Sequence, residues 1–179
     1  MKIKNMRLTL LIALILFFIP LSCAKEEQLN LMSQQESAID KYVNTLTNSG
    51  VVVEDGVWRV VMEEGSGTTE AVAGDSLLIN YAAYIFNSGK GDLYDTNVKS
   101  VANEAGLEMD FDLLQPRWVV VGKGKLLTGM DRGLISVKKG ERCYVIFSAR
   151  HGFGNTQIGL VPKMSPLLIE VWVVDVKKN

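Results

Sequence analysis

The chain is poor in the residues from which most polar active sites are built. Its 179 residues include one histidine, His151, and two cysteines, Cys23 and Cys143. Metal sites need clustered histidine, cysteine or carboxylate ligands, and the carboxylates here are scattered, so we expect no metal. The formal net charge is -1, which argues against a nucleic-acid partner because such proteins carry a basic footprint. Heptads, tandem repeats and low-complexity tracts are also absent, which argues against coiled coils and solenoids.

No phosphate-binding loop is present either. The stretch "GKGK" at 122–125 has Leu126 where that motif needs serine or threonine, and Val119 where it needs its first glycine. No Ser-His-Asp arrangement is signalled, although side chains distant in sequence can still form one in space. We therefore expect no cofactor.

The N-terminus resembles the export signal of bacterial lipoproteins. A basic start at 1–7 precedes an apolar run at 8–21, which is short for a membrane span. Ser22-Cys23 resembles a lipobox, so residues 1–22 are interpreted as a signal peptide and Cys23 as the lipidated residue. An ordinary signal peptide with a spare cysteine is the alternative. Lys25-Glu26-Glu27 resembles a signal for the outer cell surface, so we expect an extracytoplasmic protein anchored to the cell envelope, in the outer membrane.

The other cysteine and the first helix have structural interpretations. Cys143 lies in the alternating apolar stretch "RCYVIFS", which predicts a buried, inert thiol. Residues 24–30 are polar and are interpreted as a tether. A helix is predicted from about Met32 to Asn48, ended by Ser49-Gly50. Its apolar stripe consists of Ile39, Tyr42, Val43 and Leu46.

From residue 51 onward, the hydrophobic pattern has a period of two. Asp55-Gly56 between β-branched runs predicts a hairpin. Further strands are predicted at 75–86, 117–122, 142–150 and 167–176, and a short helix with a turn at 126–140. This order predicts an α+β domain in which an antiparallel twisted β-sheet wraps on one short α-helix, with the N-terminal helix as an addition.

Several short motifs occur in the order of a known family. They are "DGVWRVVMEEGSG", "AGDSLLINYAAYIF", "LYDTN", "VGKGKLLTGMDRGLISVKKGERCYVIFSAR", "HGFG", "GLVP" and "SPLLIEVWVVDV". Together they resemble the FKBP-type peptidyl-prolyl isomerases over roughly 120 residues. The resemblance implies an FKBP-like domain at 51–179, after the tether and helix at 23–50. It also implies that proline-containing polypeptides are the partners, alongside the membrane reached through Cys23.

The resemblance implies a pocket for a proline ring. Catalytic roles would fall to Tyr81, Asp95 and Phe153. Substrate binding would fall to Tyr94, Leu126, Leu127, Met130, Leu160, Val161 and Ile169. In this family the "HGFG" loop contributes its aromatic ring, so His151 is interpreted as a solvated loop residue without a chemical role.

Four positions depart from the family pattern. Met130 stands for a tryptophan at the pocket floor, and Phe153 for a tyrosine whose hydroxyl bonds the substrate backbone. Ile169 stands for a phenylalanine. Arg117 falls where another pocket phenylalanine is expected, although Trp118 is its neighbour and the alignment could shift by one. These departures put catalysis in more doubt than the fold.

Three functions follow from these observations. The first is a peptidyl-prolyl isomerase acting on exported proteins, with weak activity because of the altered pocket. The second is a non-catalytic peptide-binding or scaffold lipoprotein that has kept the fold. The third is an unrelated envelope lipoprotein in which the motif order is coincidental. The long connection at 96–116 is either a substrate-facing loop or a surface insertion without a role.

Overall fold

The computed structural model of the chain describes residues 25–46, 50–108 and 110–179. The signal peptide assigned to 1–22 and the lipidation assigned to Cys23 lie outside the described residues. Within the described ranges, no helix combines the length and the apolar character that crossing a bilayer requires.

The described residues form seven strands of one antiparallel sheet, and the strand at Lys90–Thr96 is the one that sequence patterning did not predict. The strands are β1 (Gly50–Glu54), β2 (Val57–Glu63), β3 (Ser76–Phe86), β4 (Lys90–Thr96), β5 (Arg117–Val120), β6 (Arg142–Phe147) and β7 (Leu167–Lys177). Their spatial order is β1-β2-β6-β7-β3-β4, and β5 pairs with the other end of β3. The long central strands β3 and β7 therefore organise the domain.

The predicted hairpin joins β1 to β2. Asp55 and Gly56 have φ angles of 46° and 76°, and two left-handed residues in succession make the tight turn whose twist matches that of the flanking strands. All five residues of β1 are exposed, so the sheet has an open edge on this side.

A short helix, α3 (Thr128–Gly133), packs on the inner face of the sheet. Its two glycines allow this close approach. A Cβ on Gly129 would lie 2.2 Å from Phe147, and one on Gly133 would lie 2.3 Å from Val145. Cys143 is fully buried in the same core, as predicted. Burial raises the pKa of its thiol, which keeps the thiol protonated and unreactive.

The N-terminal helix, α1 (residues 25–43), covers the outer face of the sheet. Its predicted stripe is confirmed, because Ile39 and Val43 are buried in a second core with Trp58 and Ile146, and Tyr42 and Leu46 pack against it. The helix begins earlier than predicted, so residues 25–30 are helical rather than a tether. The result is a three-layer arrangement of helix, sheet and helix.

The connection at 96–116 contains a second helix, α2 (Lys99–Glu104), and a 3-10 turn at Phe111–Leu113. Asn97 fastens it to the sheet. Its amide donates to the carbonyls of Ile79 and Gln115 at 3.1 and 2.9 Å, and its oxygen accepts from the Tyr81 N–H at 2.7 Å. Both ends of the connection are therefore held beside β3.

Candidate active site

A cavity of about 260 Å³ lies between α3 and the inner face of the sheet. Its lining is mostly apolar. The lining residues are Ile79, Tyr81, Ala83, Tyr94, Asp95, Arg117, Val119, Leu126, Leu127, Met130, Phe153 and Ile169. All the catalytic and substrate-binding residues predicted from the sequence are among them except Leu160 and Val161.

The strand register explains how residues distant in sequence meet here. Ile79, Tyr81 and Ala83 alternate along β3 and share its inner face. Ala83 is paired with Asp95 on β4 and with Ile169 on β7. The small side chain of Ala83 between these two leaves room for the cavity.

Tyr81 and Asp95 form the polar wall of the cavity. The Tyr81 hydroxyl donates a hydrogen bond of 2.8 Å to Asp95 Oδ2. Burial, reinforced by this hydrogen bond, raises the pKa of Tyr81 to about 12. The phenol therefore stays protonated at neutral pH and keeps donating to the carboxylate.

Aromatic rings form a second wall. Tyr94 and Phe153 meet edge to face, with ring centroids 6.3 Å apart and an interplanar angle of 72°. Burial raises the pKa of Tyr94, so its hydroxyl also stays neutral. An uncharged aromatic wall of this kind suits an apolar ring.

The floor of the cavity is aliphatic. Met130 on α3 is 8% exposed and Ile169 on β7 is 3% exposed, and both line the cavity. Met130 fills the space but has three rotatable bonds, so it holds its shape less firmly than a ring would.

The structure does not place Leu160 and Val161 in the lining, which corrects the sequence prediction of their positions. Reciprocal backbone hydrogen bonds of 3.1 and 2.8 Å between Ile158 and Val161 close a turn here. Val161 points into the domain core and is 1% exposed, whereas Leu160 is 73% exposed.

The interpretation of His151 as a solvated residue is wrong. Its side chain is 6% exposed, and its Nε2 lies 3.3 Å from where a Cβ on Gly56 would stand. Burial, together with the positive charge of Arg132, lowers the pKa of His151. It packs under the β1–β2 turn and does not line the cavity.

Sequence reasoning left Arg117 uncertain and missed Ile79, Ala83 and Val119. Arg117 is paired with Ile79 across β3 and β5, so the two share a face, and Arg117 rather than Trp118 lines the cavity. The missed residues follow from the period of two along β3 and β5, once the inner face has been identified from Tyr81.

Comparison with known proteins agrees with this geometry. A sequence model of the family described as "FKBP-type peptidyl-prolyl cis-trans isomerase" matches residues 67–174, more than half of the chain. The chain belongs to the FKBP-type peptidyl-prolyl cis-trans isomerase family. The activity that goes with the family is peptidyl-prolyl cis-trans isomerisation.

Named relatives are fungal and animal FKBP proteins. The chain is 28% identical over 120 residues to FK506-binding protein 1B of Emericella nidulans, covering 65% of this chain and 92% of that protein. It is 28% identical over 124 residues to FK506-binding protein 1A of Neurospora crassa, covering 69% and 90%. It is 26% identical over 127 residues to peptidyl-prolyl cis-trans isomerase FKBP4 of Rattus norvegicus, covering 69% and 24%.

A solved structure shows the same fold. A chain from the crystal structure of the three FKBP domains of wheat FKBP73 superposes on this chain with a TM-score of 0.57 at 18% identity, covering 73% of this chain and 50% of that chain. The predicted FKBP-like architecture, an antiparallel sheet on a short helix, is thus confirmed.

Proposed function

We propose that this FKBP-type isomerase acts on Xaa-Pro bonds of exported proteins from a lipid anchor at Cys23, on the cell envelope. The observation that carries the catalytic part is the Tyr81–Asp95 hydrogen bond in the wall of an otherwise apolar cavity. The Asp95 carboxylate can accept a hydrogen bond from a donor of the bound peptide there, while the apolar wall and floor receive the proline ring.

The chemistry needs no nucleophile. Rotation about the peptide bond crosses a barrier of about 18–20 kcal/mol, which comes from amide resonance. A twisted amide has lost that resonance and is less polar than a planar one. A dry apolar cavity therefore favours the twisted amide over the planar ground state.

The sequence supports the location proposed for this activity. The basic start, the short apolar run and Ser22-Cys23 resemble a lipoprotein signal. Since α1 is already helical at residue 25, a lipid on Cys23 would hold the domain close to the membrane surface. Outside the cytoplasm no ATP-driven chaperone helps folding, so a catalyst that needs no cofactor suits that compartment. Membrane fractionation of a Cys23→Ala variant tests the anchor: release from the membrane fraction supports it, and unchanged membrane association contradicts it.

A non-catalytic peptide-binding lipoprotein is the second candidate. Met130 gives a flexible floor, and Phe153 lacks a hydroxyl for the substrate backbone. Such a cavity can bind a proline-containing segment without catalysing its isomerisation efficiently.

A refolding assay separates the two. We expect residues 24–179, which include every described element, to accelerate the proline-limited refolding of a test protein, and Asp95→Ala to abolish the acceleration. Asp92→Ala is the matched control, because Asp92 is an exposed aspartate on the same strand outside the cavity. Acceleration that survives in Asp95→Ala would contradict the proposed site. No acceleration from folded wild type would favour the binding lipoprotein.

A further inference from the structure

Of the described residues that line the cavity, Arg117 is the one with a cationic side chain. It lies on β5 opposite Ile79, so both side chains share the inner face of the sheet. Trp118 is paired with Leu78 on the opposite face and is 53% exposed. Strand geometry therefore directs the arginine, rather than its aromatic neighbour, to the cavity.

Among the described residues, Arg117 differs from the other arginines in lacking an acidic partner within 4 Å. The remaining four are each paired with a carboxylate: Arg59 with Glu141, Arg132 with Asp55, Arg142 with Glu63 and Glu170, and Arg150 with Glu36. Asp95 is the acidic residue of the cavity, and it is bonded to Tyr81. The guanidinium of Arg117 is therefore available to pair with a charge on a bound peptide.

The position of Arg117 suits contact with a bound chain. The residue is exposed while lining the cavity, which places it at the rim and not among the buried apolar groups. Its charge also acts on the cavity interior, since it opposes the rise in the pKa of Tyr81. A guanidinium at a rim binds carboxylates well because its donors match the two carboxylate oxygens.

We propose that Arg117 gives this isomerase a preference for peptides with an acidic residue flanking the proline. The proposal rests on the proposed function of the cavity. The proline ring occupies the apolar floor near Met130, and the flanking carboxylate pairs with Arg117 at the rim. Because the rim is in contact with water, the preference is modest and depends on ionic strength.

The test uses short peptides that differ only in the residue before or after proline, which is Glu, Gln or Lys. At low ionic strength we expect kcat/KM for at least one Glu peptide to exceed that of its Gln counterpart about two- to fivefold, as for an exposed ion pair. The ratio should approach one in about 1 M salt, where the screening length is about 3 Å. The Kd values of the Glu and Gln peptides are compared in the same way, so that Arg117 can be tested even if the protein shows no turnover.

Three variants and a control make the result specific. Arg117→Gln should bring the Glu/Gln ratio to about one, Arg117→Glu should favour the Lys peptide, and Arg117→Lys should keep the preference. Lys123→Gln removes the same charge from a lysine whose chain packs over Gly74 outside the cavity, and should keep the wild-type ratio.

Two results would overturn the proposal. The first is a Glu/Gln ratio near one in wild type, in both kcat/KM and Kd. The second is an equal loss for all peptides in Arg117→Gln, which would mean that Arg117 only positions Tyr81 and Asp95. Failure of the isomerase function itself looks different, because turnover would then be absent for every peptide whatever the Kd ratio.

Discussion

We expect two side chains in the cavity to influence how well it holds a twisted peptide. Phe153 keeps an aromatic ring against Tyr94 but offers no hydroxyl, and Met130 supplies a flexible floor. Both retain the apolar character that the reaction needs. Relative to the tyrosine and tryptophan of the family pattern, these two side chains lack one hydrogen bond and some rigidity. We expect both losses to affect the rate of isomerisation more than the fold.

We expect Phe153→Tyr combined with Met130→Trp to raise kcat/KM. The new hydroxyl can contribute a hydrogen bond to the substrate backbone, which corresponds to about two- to tenfold. The indole replaces a side chain with three rotatable bonds by a rigid surface. Turnover of an Xaa-Pro peptide is measured for both single variants and the double variant, alongside their melting temperatures. A folded double variant no faster than wild type would count against isomerisation in this cavity.

Individual residues show which features of the site could be predicted from the sequence alone. Tyr81, Asp95 and Phe153 could be placed because they lie in motifs with a fixed order. Arg117 could not be distinguished from Trp118, since the choice depends on the pairing of β5 with β3. The burial of His151 was not predictable either, because it depends on contacts with the turn at Gly56, almost a hundred positions away.

At the scale of elements, α1 covers the sheet and also forms hydrogen bonds with the segment 148–166. Gln35 is buried, its amide nitrogen donates to the carbonyl of Met164 at 2.6 Å, and its oxygen accepts from the N–H of Ala149 at 3.0 Å. Glu36 accepts from Ser148 at 3.0 Å. The helix therefore holds both ends of the segment 148–166, which carries Phe153.

We expect Gln35→Ala to loosen that segment more than it destabilises the domain. The substitution leaves a buried N–H and a carbonyl without their partner, which costs about 1–3 kcal/mol for each group where water cannot replace it. Amide exchange should accelerate at Ala149 and around Met164, with a smaller change in β6 and β7. KM for a proline peptide should rise, since Phe153 is held less firmly.

Gln34→Ala is the matched control, because Gln34 is an exposed glutamine one position earlier on the same helix. It should leave both the exchange and KM close to wild type. Equal exchange at 148–166 in the two variants would show that α1 does not hold the segment.

The extent to which elements could be predicted follows from their composition. β3 and β7 are rich in apolar and β-branched residues and were predicted almost to the residue. β4, with the sequence "KGDLYDT", carries few of these residues and forms because β3 offers it an edge. Residues 25–29 are strong helix formers, but they lack the apolar stripe on which the prediction of α1 depended.

At the scale of the whole molecule, His151 lies where three parts of the structure meet. It packs under the β1–β2 turn, and Glu36 of α1 and Arg132 of α3 are close enough to act on its charge. Asp55 and Arg150 are the other charged groups that act on it. Protonation of His151 would place a positive charge in a buried position beside Arg132 and Arg150. The repulsion would weaken the packing between these elements.

The chain has a single histidine, so the contribution of histidine to its pH-dependent stability can be measured directly. Burial lowers the pKa of His151 in the folded protein, whereas the unfolded chain takes up the proton at about pH 6.5. Below that pH the unfolded state binds more protons, so the free energy of unfolding falls as the pH falls.

Glu141, whose pKa is raised by burial, acts in the opposite direction, but it is common to wild type and variant. Urea unfolding between about pH 8 and pH 5.5 should therefore show a steeper loss for wild type than for His151→Gln. Parallel curves would mean that His151 has the same pKa in both states and is not buried in solution.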